Sequence, residues 1–350
     1  MKIIHCADIH LASKMETNLS KEKSKARRDE IFDSFIRMIE YASKNDINHI
    51  IIAGDLFDEK KVSNTVIKRL LQIIIRANQI TFYYLEGNHD VNVLDDVTLP
   101  FNLKVIKQEF NKYYIDNICI AGTSINNPAI VNFDNAFFNI LILHGNVTKY
   151  KSVNSEDIYL QDYNEKNVNY FALGHIHKNE IIKLSENSVA VYSGCLEGRG
   201  FDELGEKGFY VLDISNKLDD INFVSVAKRK LYEITIDISG CIIDSDILDV
   251  IEEKLNQYSN DDLFKVVLIG KHSIDLEKNI EKLERILNTK YYFLKIVDKS
   301  KIAISYKDYE NDVSLLGEFV RTVINDAELD EFDKNKILEY GIKALSNDEL

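Results

Sequence analysis

No apolar stretch in this chain approaches the ~20 residues that a membrane-spanning helix requires. Cysteine is scarce: Cys6, Cys119, Cys195 and Cys241 are scattered with no C-x-x-C pair, a usage that predicts reduced thiols in a cytoplasmic protein. No signal-peptide region precedes the first apolar run, which Met1-Lys2-Ile3-Ile4-His5 enters directly. The only two prolines, Pro100 and Pro128, fall between apolar runs. No G-x-x-x-x-G-K-[S/T] loop occurs, so the chain cannot itself be a P-loop ATPase. It has no internal repeat, low-complexity segment or heptad run. Positive charge is also short. A net charge of −14 argues against unaided, non-specific binding to nucleic acid. The deficit is uneven, with 15 Lys+Arg against 26 Asp+Glu in residues 231–350 and 28 against 31 in residues 1–230. The charge argument therefore weakens over the first two thirds of the chain.

What the chain does have is five short apolar runs, each stopping at side chains able to bind metal. Ile3-Ile4-His5-Cys6-Ala7 leads into Asp8-Ile9-His10, and Ile50-Ile51-Ile52-Ala53-Gly54 into Asp55. Phe82-Tyr83-Tyr84-Leu85-Glu86-Gly87 leads into Asn88-His89-Asp90. Ile140-Leu141-Ile142-Leu143 ends at His144, and Tyr170-Phe171-Ala172-Leu173-Gly174 at His175-Ile176-His177. Such runs predict fully buried strands, and open α/β sheets place their sites just past strand ends. Helical spacing over Lys21–Lys44 (Ile31, Phe35, Met38, Ile39, Ala42) and Asn64–Ala77 (Val66, Ile67, Leu70, Leu71, Ile74) predicts amphipathic helices between the first three strands. Parallel pairing with right-handed crossovers follows. Further strands are expected at Leu103–Ile106, Tyr113–Ala121, Phe137–Leu143, Val189–Tyr192 and Gly208–Ile214, making a second, more mixed sheet, with a helix over about Ser155–Asn164. Around Lys228-Arg229-Lys230 the composition turns acidic. The alternation of strand and helix from Leu231 to Val297, a short strand at Ile302–Tyr306 and two final helices predict a small α/β unit with a helical tail. Three segments are thus expected: 1–228, 229–308 and 309–350.

The motif residues are Asp8, His10, Asp55, Asn88, His89, Asp90, His144, His175 and His177, and they include five of the eight histidines. Mixed nitrogen and oxygen ligands suit Mn, Fe or Zn, whereas all-oxygen shells suit Mg or Ca. Gly54, Gly87 and Gly174 are expected to let the backbone turn sharply. Two ions ~3.5–4 Å apart can bind a phosphate, generate hydroxide at neutral pH and stabilise attacking and leaving oxygens, which is what phosphodiester hydrolysis requires. Other positions carry weaker signals. His5 faces away from Cys6 and reads as structural, and Cys6 reads as core. The basic stretch Lys21–Arg28 reads as a solvated helix face or, alternatively, as a phosphate-backbone contact. Asp58 is an outer-shell group or an exposed loop acid. Arg199, in the glycine-rich loop Gly194–Phe201, is a candidate phosphate contact. The 35 Tyr and Phe residues show no base-stacking pattern.

Ile4-His5-Cys6-Ala7-Asp8-Ile9-His10-Leu11, Gly54-Asp55-Leu56-Phe57-Asp58, Gly87-Asn88-His89-Asp90 and Ala172-Leu173-Gly174-His175-Ile176-His177 resemble the calcineurin-like metallophosphoesterase superfamily, and within it the SbcD-type DNA repair nucleases. The stretch Tyr192–Glu203 with Glu206-Lys207-Gly208-Phe209 looks like the bacterial YhaO-like variant. The resemblance covers residues 1 to about 225. It implies an α/β fold, a two-sheet αββα sandwich, followed by a small α/β cap domain. It further implies that Asp8, His10, Asp55 and His177 hold one metal, and that Asp55, Asn88, His144 and His175 hold the other. The metals would be Mn, and a hydroxide generated between them would attack phosphorus in line. His89 would sit over the phosphate, with Asp90 orienting it. Leu11-Ala12-Ser13 departs from the Leu-Gly of the better-known nucleases, which leaves the substrate's shape open.

The leading expectation is thus a Mn-dependent phosphodiesterase that acts on DNA ends as exonuclease or endonuclease in repair and recombination. The resemblance implies a separate SMC-type ATPase partner of the SbcC or YhaN kind, and a homodimer through the catalytic domain. The tail from about Asp312 to Leu345, with its stripe of Leu315, Leu316, Phe319, Val320 and Val323, is either core or the ATPase docking surface. The alternative is a phosphatase or phosphodiesterase for small phosphate esters or phosphoproteins, because such motifs report the reaction rather than the substrate. A catalytically idle scaffold is a third reading, opposed by the intact ligand set.

Overall fold

The first three apolar runs become adjacent parallel strands, β1 (Lys2–Cys6), β2 (His49–Ala53) and β3 (Thr81–Leu85), joined by the helices α1 (Lys21–Lys44) and α2 (Asn64–Arg76). Ser20 and Ser63 start these helices by accepting the Lys23 and Val66 N–H groups on their hydroxyls. The computed structural model describes residues 1–350 except 16–18, 108, 124–126, 155, 274–275, 304–308, 310–311 and 346–350. Its contacts divide the chain into two compact units, Met1–Leu231 and Tyr232–Leu350.

In the first unit the chain continues through β4 (Leu103–Ile106), β5 (Asn111–Ile115), β6 (Ile118–Gly122) and β7 (Phe138–His144). A short parallel pair, β8 (Asn146–Val147) and β9 (Asp157–Ile158), leads on to β10 (Tyr170–Gly174), β11 (Glu180–Lys183) and β12 (Val189–Tyr192). β13 (Gly208–Ile214) and β14 (Leu218–Ser225) then return to the first sheet, whose order is β14-β13-β1-β2-β3-β4. The second sheet runs β11-β12-β10-β7-β6-β5, parallel inside and antiparallel at both edges.

Alternation along each strand sorts the core into three layers. Ile4, Cys6, Ile50, Ile52, Phe82 and Tyr84 pack under α1 and α2. Ile3, Ile51, Ala53, Leu85, Ile120, Ile140 and Ala172 fill the space between the sheets. Ala121, Leu141, Leu143, Phe171 and Leu173 face the outer side of the second sheet. The two-sheet α/β sandwich that the resemblance implies is therefore present, though among the described residues the outer face of the second sheet is covered by β9, 3-10 turns and loops in place of the expected α-helical layer.

Two expectations need correction. Tyr113–Ala121 is a hairpin rather than one strand, because Asp116 takes a left-handed φ of 48° and Asn117 follows it in the turn. The segment expected as a helix over 155–164 is β9 followed by a 3-10 turn at Leu160–Tyr163. There Ile158, Leu160 and Tyr163 join the apolar cluster of Leu143 and Phe171, and their i, i+2, i+5 spacing does not fall on one helix face. Ser155 itself lies outside the described residues.

The second unit holds β15 (Leu231–Asp237), α3 (Asp244–Leu255), β16 (Leu263–Ile269), β17 (Lys271–His272), α4 (Ile280–Lys290), β18 (Phe293–Asp298) and β19 (Lys301–Ile302). β15, β16 and β18 form one sheet in that order, with β16 and β18 parallel. Of the strand expected at Ile302–Tyr306, residues 304–306 lie outside the described residues. The tail is a pair of helices, α5 (Leu315–Asn325) and α6 (Glu331–Leu345). Val320 and Val323 pack on Leu338 and Ile342, while Leu315 stays exposed, so most of the stripe serves the helix pair itself. Among the described residues no helix is long and apolar enough to cross a membrane, and all four cysteines are buried free thiols.

His5 lies on the inter-sheet face of β1, fully buried, with Nδ1 2.8 Å from the Tyr170 hydroxyl. Burial lowers its pKa from 6.5 to about 3. Between those values the unfolded chain binds a proton that the folded chain refuses, so stability falls as pH drops from 6.5 toward 3. At pH 4.5 the loss is about 2–3 kcal/mol. In chelator, the melting temperature of His5→Gln should fall less between pH 7 and pH 4.5 than that of the parent. Parallel decline of the two proteins would show that His5 is not the group responsible.

Candidate metal centre

Three of the strands that feed the centre, β1, β2 and β10, end in backbone that most side chains avoid. Asp8, His10, Asp55 and His175 have φ values of 49°, 50°, 47° and 96°. Left-handed non-glycine residues cost on the order of 1–3 kcal/mol each and persist only where their surroundings hold them. Here the loops leaving β1 and β2 are zipped together. Asp8 N–H donates to Gly54 O at 3.2 Å, His10 N–H to Asp55 O at 3.0 Å, Leu11 N–H to Leu56 O at 2.9 Å and Asp58 N–H to Leu11 O at 3.1 Å. Of the three motif glycines only Gly54 adopts a positive φ, 91°. Gly174 serves a different purpose: a Cβ there would collide with the Ala53 carbonyl oxygen.

This backbone brings two sets of acceptors together. Nε2 of His10 and Nε2 of His177 lie 3.1 Å apart, with Asp8 close enough to share an ion with both. The second set gathers around Nε2 of His144, which is 3.0 Å from Asn88 Oδ1 and 3.2 Å from Asp55 Oδ2. Asp55 Oδ2 also lies 3.9 Å from Nε2 of His10, between the two sets. Asp8 belongs to both groups. The other ring nitrogen is hydrogen-bonded in His144 and His177, and in His10 it faces a carboxylate. His144 Nδ1 donates to Ala53 O at 2.9 Å and His177 Nδ1 to Glu203 Oε1 at 2.7 Å, while His10 Nδ1 lies 3.0 Å from Asp58 Oδ1. The converging Nε2 atoms therefore present lone pairs to one another and to carboxylates. Such crowding needs a shared cation, or a proton in its place. The donor set thus fits a pair of metal ions.

The proton's place is visible in the acidities. Burial alone would lower His144, but its hydrogen bond to Asp55 and the charges of Asp55 and Asp8 carry it up to about 9. Burial would likewise raise Asp55, yet the same His144 contact holds it well below the usual carboxylate range. Asp8 is lifted by burial to about 6, against the pull of His144 and His177.

The remaining motif residues fall as follows. His175 donates its backbone N–H to both Asp8 oxygens, at 2.9 and 3.0 Å, and its ring lies edge-on to His144 with centroids 5.4 Å apart. It belongs to neither of the tight donor groups. His89 is exposed; its backbone N–H donates to Asp55 Oδ1 at 3.0 Å and its Nδ1 to the Asp58 carbonyl at 3.0 Å. Asp90 does not orient His89. Its two carboxylate oxygens accept the N–H groups of Phe57 (3.0 Å) and Gly87 (2.8 Å), which fixes the turn that presents Asn88 and His89.

Several residues that matter here carried little or no signal in the sequence. Arg199 is not free for a phosphate: it reaches Asp58 Oδ1 at 2.6 Å and Glu203 Oε1 at 3.0 Å. Arg27, in the basic stretch expected to face solvent or phosphate, is 1% exposed. It donates to Glu30 at 2.5 Å, Glu197 at 2.8 Å and the Gly198 carbonyl at 2.5 Å. Ser34 and the Lys228 N–H complete Glu197, at 2.7 and 2.9 Å. This buried network fastens the loop that carries Arg199 and Glu203 onto α1. Beside Asn88, His144 and His175 opens a cleft of about 570 Å³, whose charged lining is Glu86, Glu156, Asp157 and Asp162 against Lys151.

Two outcomes follow. At pH 7.5, metal binding to the stripped protein should release about one proton per chain, from His144, a release that disappears as pH rises above 9. Calorimetric titration in buffers of different ionisation enthalpy measures it, and binding with no proton release would remove His144 from the account. Replacing Arg27 by Met leaves Glu30 and Glu197 buried with a cation missing and should destabilise the first unit by about 3–5 kcal/mol. Urea unfolding reads this against Lys25→Met, an exposed position expected within about 0.5 kcal/mol of the parent.

The chain is similar to known proteins. The family model described as calcineurin-like phosphoesterase matches residues 1–202. A DNA double-strand break repair protein Mre11 of Sulfolobus acidocaldarius is 24% identical over 339 residues, covering 89% of this chain and 83% of its own. Mre11 of Methanocaldococcus jannaschii is 26% identical over 264 residues, 67% of this chain and 69% of its own. A Bacillus subtilis protein titled uncharacterized metallophosphoesterase YhaO is 27% identical over 241 residues, 62% of this chain and 58% of its own. With the family match spanning more than half of the chain and the acceptor set at the strand ends, the protein belongs to the calcineurin-like phosphoesterase family and is a metal-dependent hydrolase whose family works through a dinuclear metal site.

Proposed function

We propose that this protein is a Mn-dependent phosphodiesterase that processes DNA ends in repair. The observation that carries the reading is the convergence of metal-binding side chains just described, in a chain whose relatives include Mre11 repair proteins. Asp8, His10 and His177 would hold one ion, and Asn88, His144 and His175 the other, with Asp55 shared. The mixed nitrogen and oxygen donors favour Mn over Mg. When bound, the two ions supply a nucleophile at neutral pH and charge stabilisation for the phosphate.

The chain's own groups do the rest. His89 is exposed, and its Nδ1 proton is tied to the Asp58 carbonyl, which fixes the tautomer that leaves Nε2 as the acceptor. In that state Nε2 can accept a hydrogen bond, and once protonated it can donate to a leaving oxygen. Asp90 and the Asp55 carboxylate hold the turn in which His89 sits. A partner ATPase of the SMC type would supply the basic surface that this acidic chain lacks. Leu315, Ile337 and Tyr340, exposed on the helix pair, are candidate contacts for it.

The cleft favours a second reading. Asp162 is paired with Lys151 and Glu86 lies 3.8 Å from Lys107, so it is chiefly Glu156 and Asp157 that give the cleft an excess of negative charge and disfavour a phosphate beyond the one at the ions. A small ester with an uncharged group in the cleft would meet no such penalty.

Linear double-stranded DNA, a synthetic phosphodiester and a phosphomonoester, assayed side by side with added Mn, separate the readings. DNA and diester should be cut, chelator should stop both, and His89→Ala should lower the rate by about 10²–10⁴ with metal content unchanged. Turnover of the monoester alone would replace the nuclease with a phosphatase.

A further inference from the structure

The two halves of the metal centre are built with different second partners. In the first half both histidines are backed by carboxylates, His10 by Asp58 at 3.0 Å and His177 by Glu203 at 2.7 Å. Those carboxylates are joined by one guanidinium. Arg199 Nη1 donates to Asp58 Oδ1 at 2.6 Å, and Nη2 and Nε donate to Glu203 Oε1 at 3.0 and 3.2 Å. The Arg199 backbone N–H takes the other Glu203 oxygen at 2.7 Å. Glu203 is almost fully buried. The Lys207 ammonium holds the His177 carbonyl at 2.9 Å, which leaves little freedom in the backbone beneath that ring. In the second half His144 Nδ1 donates to the neutral Ala53 carbonyl at 2.9 Å, with the nearest carboxylate behind it, Asp8 Oδ1, out at 3.9 Å, and Asn88 is an uncharged amide.

A carboxylate behind an imidazole raises the electron density at the opposite nitrogen and fixes the ring's orientation, and such partners are worth roughly 10- to 100-fold in metal affinity. A backbone carbonyl orients the ring but brings no net charge. Arg199 adds rigidity. By gripping both carboxylates it holds the two rings so that their Nε2 atoms meet at 3.1 Å before any ion arrives, which lowers the reorganisation needed on binding.

We propose that Asp58, Arg199 and Glu203 form a positioning clamp that makes the His10/His177 half the high-affinity metal site, filled first and retained, while the Asn88/His144 half fills at higher concentration and exchanges. This rests on the reading that the centre holds two divalent ions. It gives Arg199 a task that a phosphate contact would preclude, because its guanidinium is committed to both carboxylates.

The test is equilibrium binding of Mn²⁺ to the metal-stripped full-length protein, following free Mn²⁺ by electron paramagnetic resonance. The parent should show two classes of one ion each, with dissociation constants at least about tenfold apart. Glu203→Gln and Asp58→Asn should each weaken the tight class by roughly 10- to 100-fold and leave the weak class in place. Arg199→Lys, which keeps the charge and loses the fork, should weaken the same class. Asp58 is partly exposed, so Asp58→Asn remains informative if Glu203→Gln folds poorly, and melting of each stripped variant monitors that. Two classes of equal affinity in the parent, or substitutions that shift both classes together as general loosening would, overturn the clamp. Failure of the parent to bind two ions at all overturns the two-ion reading instead, and that result appears before any substitution is made.

Discussion

The structure depends on forcing hydrogen-bond acceptors together with too few protons to share among them. Asp8, Asp55, Asn88 and the Nε2 atoms of His10, His144 and His177 converge at the ends of β1, β2, β7 and the loops after β3 and β10. Without a cation this arrangement is repulsive, and the chain compensates by keeping a proton on His144 beside Asp55. Four left-handed residues add a cost of a few kcal/mol. The zipper between the loops after β1 and β2, and a sandwich whose central layer is apolar apart from His5 and its tyrosine neighbours, offset that cost. The scaffold supplies rigidity, and the site uses it to hold an arrangement that unsupported side chains would abandon.

Buried charge is handled by networks, not isolated pairs. Arg27 with Glu30 and Glu197, and Arg199 with Asp58 and Glu203, each satisfy most of their donors and acceptors. Such groups add little net stability over apolar replacements, but losing one member leaves the others desolvated and unpaired. What they contribute is position. The loop from Gly194 to Glu203 crosses between the two networks, so its contact with α1 and its grip on His177 are parts of one connected structure. The exposed pairs, such as Arg69 with Asp29, are worth at most about 1 kcal/mol and fix nothing at the site.

The elements that position the centre were legible because burial on both faces writes itself as uninterrupted apolar runs, and because D-x-H, G-D, G-N-H-D and G-H-x-H stand at the ends of those runs. Glu203, Glu197 and Arg27 were not legible as parts of the centre. A buried carboxylate twenty-six residues from the histidine it holds looks like any surface acid in one dimension. Arg27 sits among lysines that do face solvent, and only the helix's rotation on the sheet distinguishes it. Asp90 misled for a related reason: adjacency to His89 suggested a partner, whereas the tight turn points the carboxylate inward to Phe57 and Gly87. The hairpin inside Tyr113–Ala121 was hidden because its two-residue turn, Asp116-Asn117, interrupts the apolar pattern so briefly.

The charge distribution bears on how such a centre can meet a polyanion. The first unit is only slightly acidic, and two divalent ions would more than cancel its excess of carboxylates over lysines and arginines. Attraction for phosphate is then concentrated at one point, the ions themselves. The cleft beside them is acidic, and the nearest arginine is neutralised by Asp58 and Glu203. A nucleic acid bound by this chain alone would be held at its scissile phosphate and repelled on the cleft side, so its affinity would depend weakly on length. Extended binding to DNA would have to come from elsewhere, through a partner surface that supplies the positive charge. The same geometry leaves a short ester unpenalised. The balance between the two substrate classes is therefore governed less by the metal centre, which serves both, than by what covers the acidic ground around it.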